Sequence, residues 1–299
     1  MNRSFTRIAW LFTAYLVGVI LFGAWVRITH SGAGCGAHWP LCDGEIIPTA
    51  PSLEKMIEYT HRLTSGLCGV FGLGISAWAW RLFGLRGKAT IAALITLLFI
   101  IIEGAIGAGL VLAELVADDT SVARATVIVL HLTNTLMLTA AGAATAYFSQ
   151  NPHAPFRWTQ QRGLLTIMGL GFIVVSMSGA ITALGDTLFP VQAAEHSGLL
   201  AQVTHELSVT QHFLVRLRII HPILALLVGG FMIWAFDHLR AHSLGNIALI
   251  GMILSISQIG LGLLNIALAA PGWMQLLHLG MAQCLWISLV LTGWRAQVT

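Results

Sequence analysis

Residues 124–148 read RATVIVLHLTNTLMLTAAGAATAYF, an apolar run with one charged side chain, Arg124, at its start and one imidazole, His131, about two turns further on. As a helix rising about 1.5 Å per residue, such a run crosses a hydrocarbon layer of about 30 Å. Comparable runs lie at 8–29, 58–80, 90–112, 163–184, 214–236, 246–269 and 272–294, so the sequence predicts an all-α membrane protein with eight transmembrane helices. Composition agrees. The 299-residue chain is 57% hydrophobic and 9% charged, against about 25% charged in a soluble domain, and its mean hydropathy is +0.82. That excludes a water-soluble globule, a disordered chain and a coiled coil. A formal charge of +3, from 15 basic and 12 acidic residues, is too small an excess for a nucleic-acid surface.

Outward from that run, the charges set the orientation. With the N-terminus inside, the inner segments hold Arg3, Arg7, Arg81, Arg86, Lys88, Arg157, Arg162, Arg240 and Arg295, nine of the 15 basic residues. This is the positive-inside pattern, and it places both termini in the cytoplasm. Asp43, Glu45, Glu54, Glu58, Glu114, Asp118, Asp119, Asp186, Glu195 and Glu206 fall on outer segments or helix starts. The first apolar run is too long for a signal-peptide core, and no small-residue cleavage pattern precedes Arg27, so it reads as a retained anchor. Two long outer loops, 30–57 and 185–213, follow spans 1 and 5. They divide the chain into four-helix halves, 1–150 and 151–299, and Leu130-His131-Leu132 recurs as Leu277-His278-Leu279. The expectation is two pseudo-twofold-related four-helix bundles.

Each even span carries one histidine: His61, His131, His221 and His278. All four lie about one to three turns from the outer helix end. A lone buried histidine is ordinarily a hydrogen-bonded core residue, but four at matched depth, paired by half, outweigh that reading. Ionisable groups in hydrocarbon mark function, and facing imidazoles in a bundle suit haem iron. His61 pairs with His131 as one site, and His221 with His278 as the other. Structural zinc would need four ligands together, and a proton relay built on the same groups is a further alternative. Gly66, Gly69, Gly142, Gly229 and Gly230 are candidates for close porphyrin approach, although glycine also serves helix packing in membranes. Arg62, Arg124, Arg216 and Arg218, near the outer starts of even spans, are candidate partners for haem propionates, with interfacial snorkelling as the plainer reading.

Glu58 shares a helix face with His61 and Arg62, three and four residues on. It reads either as a surface pair with Arg62 or as a carboxylate held beside the first site for proton movement. His221 follows Arg218-Ile219-Ile220 and has no such acid, so the halves are unequal, which suggests one substrate site and one electron-transfer site. Glu103, in the middle of span 3, is a second costly carboxylate, protonated or paired. Cys35 and Cys42 flank Gly36-Ala37-His38-Trp39-Pro40-Leu41 and can close a disulfide in an oxidising compartment, as a staple or as a redox or docking element. Cys68 and Cys284, in apolar helices, read as packing residues.

These residues together resemble a known family. The run Arg27 to Pro48 with its Cys35-x6-Cys42 loop, then Glu58-x-x-His61-Arg62, is similar to the first outer loop and second helix of bacterial haem A synthases, which are related to the mitochondrial haem A synthase. Gly179 to Pro190, Gln258 to Gly262, Asn265, Pro271, Trp273 and His278 extend the resemblance over nearly the whole chain. It implies an oxidoreductase of the bacterial plasma membrane that converts haem O to haem A for terminal oxidases. The C8 methyl would become a formyl group through hydroxylated intermediates. It makes Glu58 catalytic, His61 and His131 ligands of the substrate haem, and His221 and His278 ligands of a haem b cofactor. Haem O synthase, oxidase assembly factors, an electron acceptor, the lipid bilayer and a second copy of the chain are the partners it implies. Two positions depart from some members: residues 185–213 contain no second cysteine pair, and His221 is followed by Pro222 where others have Arg. The rival classes are a dihaem cytochrome b-like electron carrier and a haem-binding or transfer protein, both of which would leave haem chemically unchanged.

Overall fold

The computed structural model describes residues 2–153, 160–190 and 207–297, and within them eight helical spans are long and apolar enough to cross a membrane. The helices are α1 (Arg3–Ile28), α2 (Leu53–Phe83), α3 (Lys88–Leu112), α4 (Val122–Gln150), α5 (Arg162–Leu188), α6 (Phe213–Leu217), α7 (Ile220–Leu239), α8 (Gly245–Ala267) and α9 (Gly272–Arg295). Arg157, Glu195 and Glu206, part of the expected charge pattern, lie outside the described residues. Large side chains such as Leu11, Ile101 and Leu227 point outward and exposed, which lipid tolerates and water does not.

Polar side chains start the helices. Asn2, Ser52 and Ser121 accept hydrogen bonds from the N–H groups of Phe5, Lys55 and Arg124, each three residues on. Such a cap stabilises a helix by about 1 kcal/mol. Inside the spans, hydroxyls return their protons to the preceding turn, as from Thr13 to the Ala9 carbonyl and from Thr96 to that of Ala92. No donor is then left facing hydrocarbon at these positions.

Two departures from the sequence reading have local causes. The span expected over 214–236 is broken, ending as α6 at Leu217 and resuming as α7 at Ile220. Pro222 has no N–H to give the Arg218 carbonyl, so the ladder fails there. Cys68 packs inside, but Cys284 is exposed on the surface of α9, so only the first is a packing residue.

The chain divides into two compact units, Met1–Arg157 and Trp158–Gln297. In the first, α1 and α3 each touch both α2 and α4, closing a four-helix ring. Its core holds Phe5, Phe12, Leu16, Ile75, Ile100 and Leu138, and the Phe5 ring meets Trp78 and Phe83 edge-on at 5.2 and 5.4 Å. The small residues Ala141 to Ala146 let α4 sink deepest into the ring. In the second unit, α5 and α8 each touch both α7 and α9. There Phe172 stacks on Trp286 at 5.3 Å.

Candidate functional site

The first outer loop is built onto the start of α2. Cys35 and Cys42 are joined by a disulfide, with their Cα atoms 4.4 Å apart. Gly34 lies directly on the Glu54 backbone, where a Cβ would stand 2.6 Å from the carbonyl carbon, so only glycine allows the approach. Gly36 takes the left-handed conformation, φ +63°, that turns the chain between the cysteines. Lys55 pairs with Asp43, and its hydrogen bond holds the Asp43 carboxyl below the ordinary carboxylate range.

Glu58 sits beneath this loop, only 3% exposed. One carboxylate oxygen accepts the Cys35 N–H at 2.8 Å, and the other accepts Nε of Arg62 at 3.0 Å as well as its Nη2. Arg62 in turn donates to the carbonyls of His38 and Leu41, both at 2.7 Å. The Glu58–Arg62 pair expected from spacing is therefore present and is also the anchor of the disulfide loop. One turn on, the His61 ring lies edge-on to Phe22 at 5.6 Å and against Gly23, where a Cβ would come within 3.0 Å of Cε1. His61 Nδ1 is buried without a hydrogen-bond partner.

On α4, His131 Nε2 stands 2.8 Å from Oε1 of Glu103 on α3. Glu103 also accepts from Thr135 Oγ1 at 2.6 Å and from Asn134 Nδ2. The first unit thus sets Glu103, the carboxylate whose part the sequence left open, directly against the His131 ring.

In the second unit the His221 and His278 rings lie 6.3 Å apart and nearly perpendicular, at 86°. The two rings therefore face one site within the second unit. His221 Nδ1 meets Ser178 Oγ at 3.1 Å, His278 Nε2 meets the Gln258 amide at 3.2 Å, and His278 Nδ1 is buried without a partner. Two imidazoles and small residues suit haem. A closed structural zinc site is not supported, because no group of three or more His, Cys, Asp or Glu among the described residues is placed to hold a metal.

All four imidazoles rest on a glycine of the preceding long helix. His61 meets Gly23, His131 meets Gly107, His221 meets Gly179 and His278 meets Gly262, with Cε1 at 3.0, 3.8, 2.9 and 3.2 Å from where a Cβ would be. The glycines singled out from sequence sit elsewhere. Gly142 packs on Thr13 and Leu16, Gly229 on Ile259, and Gly66, Gly69 and Gly230 meet nothing within 4 Å. Among the candidate propionate arginines, Arg124 is 4% exposed and donates to the Ala117 and Asp119 carbonyls. Arg218 pairs with Asp186 at 2.7 Å and with the Phe189 carbonyl at 2.7 Å. Arg62 holds the loop, and Arg216 is exposed.

Fold and site together define a multi-pass helical membrane protein with two half-buried histidines in each of two units. The sequence matches the cytochrome oxidase assembly protein family COX15-CtaA over residues 6–290, and the chain belongs to that family. It is 44% identical over 289 residues to the "Protoheme IX farnesyltransferase" of Thermus thermophilus, covering 94% of this chain and 46% of that protein. It is 45% identical over 111 residues to the "Heme A synthase" of Halalkalibacterium halodurans, 37% of each chain. With that of Alkalihalophilus pseudofirmus it shares 46% over 93 residues, 31% of each. The matched region thus spans less than half the length of these relatives.

Proposed function

We propose that this protein is a haem A synthase, oxidising the C8 methyl of haem O to a formyl group through hydroxylated intermediates. The observation that carries the reading is the paired arrangement: two half-buried histidines per unit, each ring seated on a glycine, in a chain of this family. The first unit takes haem O as substrate between His61 and His131. The second holds haem b on His221 and His278, and haem b supplies a one-electron couple when bound.

Methyl to formyl, with water as the oxygen donor, releases four electrons and four protons, the electrons passing to an external electron acceptor. Glu58 is the catalytic carboxylate of this reading, positioned by the Cys35 N–H and Arg62 to take a proton or to stabilise positive charge at the substrate edge. The outward apolar faces suit a farnesyl tail among helices and lipid. The chain lies in a bacterial plasma membrane with both termini cytoplasmic, as the arginine-rich inner segments favour. A protein named for farnesyl transfer to protohaem contains a region 44% identical to this chain. That supports direct receipt of haem O from a haem O synthase. Oxidase assembly factors are the next recipients.

The test is expression in cells that make haem O but lack their own haem A synthase, with extracted haems separated by chromatography and weighed by mass spectrometry. Haem A or its hydroxymethyl precursor, dependent on this chain, supports the reading. Unchanged haem O, with the protein intact and haem-loaded, refutes it in favour of an electron carrier or haem-transfer protein.

A further inference from the structure

We infer that Glu103 and Gln258 are equivalent positioning residues, each fixing the histidine of its own unit, and that carboxylate in one and amide in the other sets the two haem sites apart in electron affinity. The inference rests on the haem reading above. Glu103 reaches His131 Nε2 at 2.8 Å, and the Gln258 amide reaches His278 Nε2 at 3.2 Å. Four residues beyond each, Gly107 and Gly262 seat those same two rings. Spacing of i, i+4 puts the polar group and the glycine on one helix face. Glu103-x-x-x-Gly107 with His131, and Gln258-x-x-x-Gly262 with His278, are therefore the same arrangement with one atom type exchanged.

The surroundings match the exchange. Glu103 has two further donors, Asn134 Nδ2 and Thr135 Oγ1, which follow His131 by three and four residues. The same steps beyond His278 reach Met281 and Ala282, whose side chains bring no hydroxyl or amide donor. A carboxylate in apolar surroundings needs such donors, and a neutral amide needs fewer. Gln258 Oε1 is buried without a partner, and a half-turn of the amide presents it to the His278 ring N–H.

An imidazole that gives one N–H to a carboxylate becomes a stronger donor through its other nitrogen, more so than one bonded to an amide. A stronger donor favours oxidised iron and lowers the potential. The carboxylate thus tunes the substrate site, and the amide leaves the cofactor site higher.

The experiment is optical redox titration of detergent-purified protein from cells supplying haem b and haem O. A His278→Ala background isolates the haem of the first unit, and a His61→Ala/His131→Ala background isolates that of the second. Glu103→Gln should raise the midpoint potential of the first, and Gln258→Glu should lower that of the second. A purely structural role moves stability but leaves both potentials where they were. Haem bound with neither potential shifted overturns the inference and leaves the haem reading intact. No haem bound by the unsubstituted protein overturns both. If Glu103→Gln does not fold, Gln258→Glu carries the test alone.

Discussion

Both oxygens of Glu58 are engaged, one by the Cys35 N–H and the other by Arg62, so the proposed catalytic carboxylate is also a loop anchor. Glu58→Gln keeps an acceptor for the Cys35 N–H and loses the charge. It should retain haem content near wild type while haem A formation falls at least about a hundredfold, the scale of a lost acid–base group. Normal product yield in that variant would sink the assignment. The glycine seats give a graded series. Alanine at Gly179 or Gly23 forces a methyl against an imidazole at about 3 Å, at Gly262 slightly less, and at Gly107 only into ordinary contact. Overpacking of this kind costs about 1–3 kcal/mol. Haem content and Tm should therefore fall for Gly179→Ala and Gly23→Ala and hardly change for Gly107→Ala, and an ungraded series would contradict the seating role. The histidines are legible in the sequence because an imidazole stands out in an apolar run. Their glycines are not, because glycine is common in membrane helices, and only the packing of α1 on α2 or α5 on α7 tells Gly23 and Gly179 from Gly66 or Gly230.

Among the elements, the first outer loop and the α6–α7 break carry the most information. Arg62 ties α2 to the His38 and Leu41 carbonyls, so the disulfide loop and the His61 helix move as one piece. The Lys55–Asp43 pair adds an acid-sensitive tie. Because the Asp43 carboxyl is held below its ordinary range, the tie is intact above about pH 4 and is lost as pH falls through the lowered value. Phosphine reduction of Cys35–Cys42 should be slower in wild type than in Asp43→Asn at pH 6, with the difference vanishing once the pH falls below that lowered value. A constant ratio would remove that tie. At the break, the Arg218 side chain pairs with Asp186 near the end of α5. Asp186→Ala leaves a nearly buried guanidinium without its acid and should destabilise the second unit by about 3–5 kcal/mol, read as a fall in Tm. The two ends of this span are legible in the sequence. Its interruption is not, although Pro222 is the residue that causes it, because a proline one turn into an apolar run is compatible with an unbroken start.

At the scale of the whole molecule, hydropathy alone locates the spans, since a helix that must satisfy its backbone in lipid leaves few alternatives. What hydropathy does not carry is how unequal chemistry enters two similar rings. Glu103 and Gln258 occupy matching places against His131 and His278, and their contacts emerge only when α3 meets α4 and α8 meets α9. The proposed orientation predicts a fluorescent, cytoplasmic C-terminal green-fluorescent-protein fusion and an inactive phosphatase fusion at the same site. The reverse outcome would invert the membrane topology and move the histidines to the inner leaflet. The central claim is a division of labour, substrate haem in the first unit and haem b in the second. It is tested most directly by mass spectrometry of the haems retained by His278→Ala and by the His61→Ala/His131→Ala double variant, both purified from cells supplying haem O. The account predicts that His278→Ala loses haem b while keeping haem O or haem A, and that the double variant does the opposite. Loss of the same haem from both variants would contradict it.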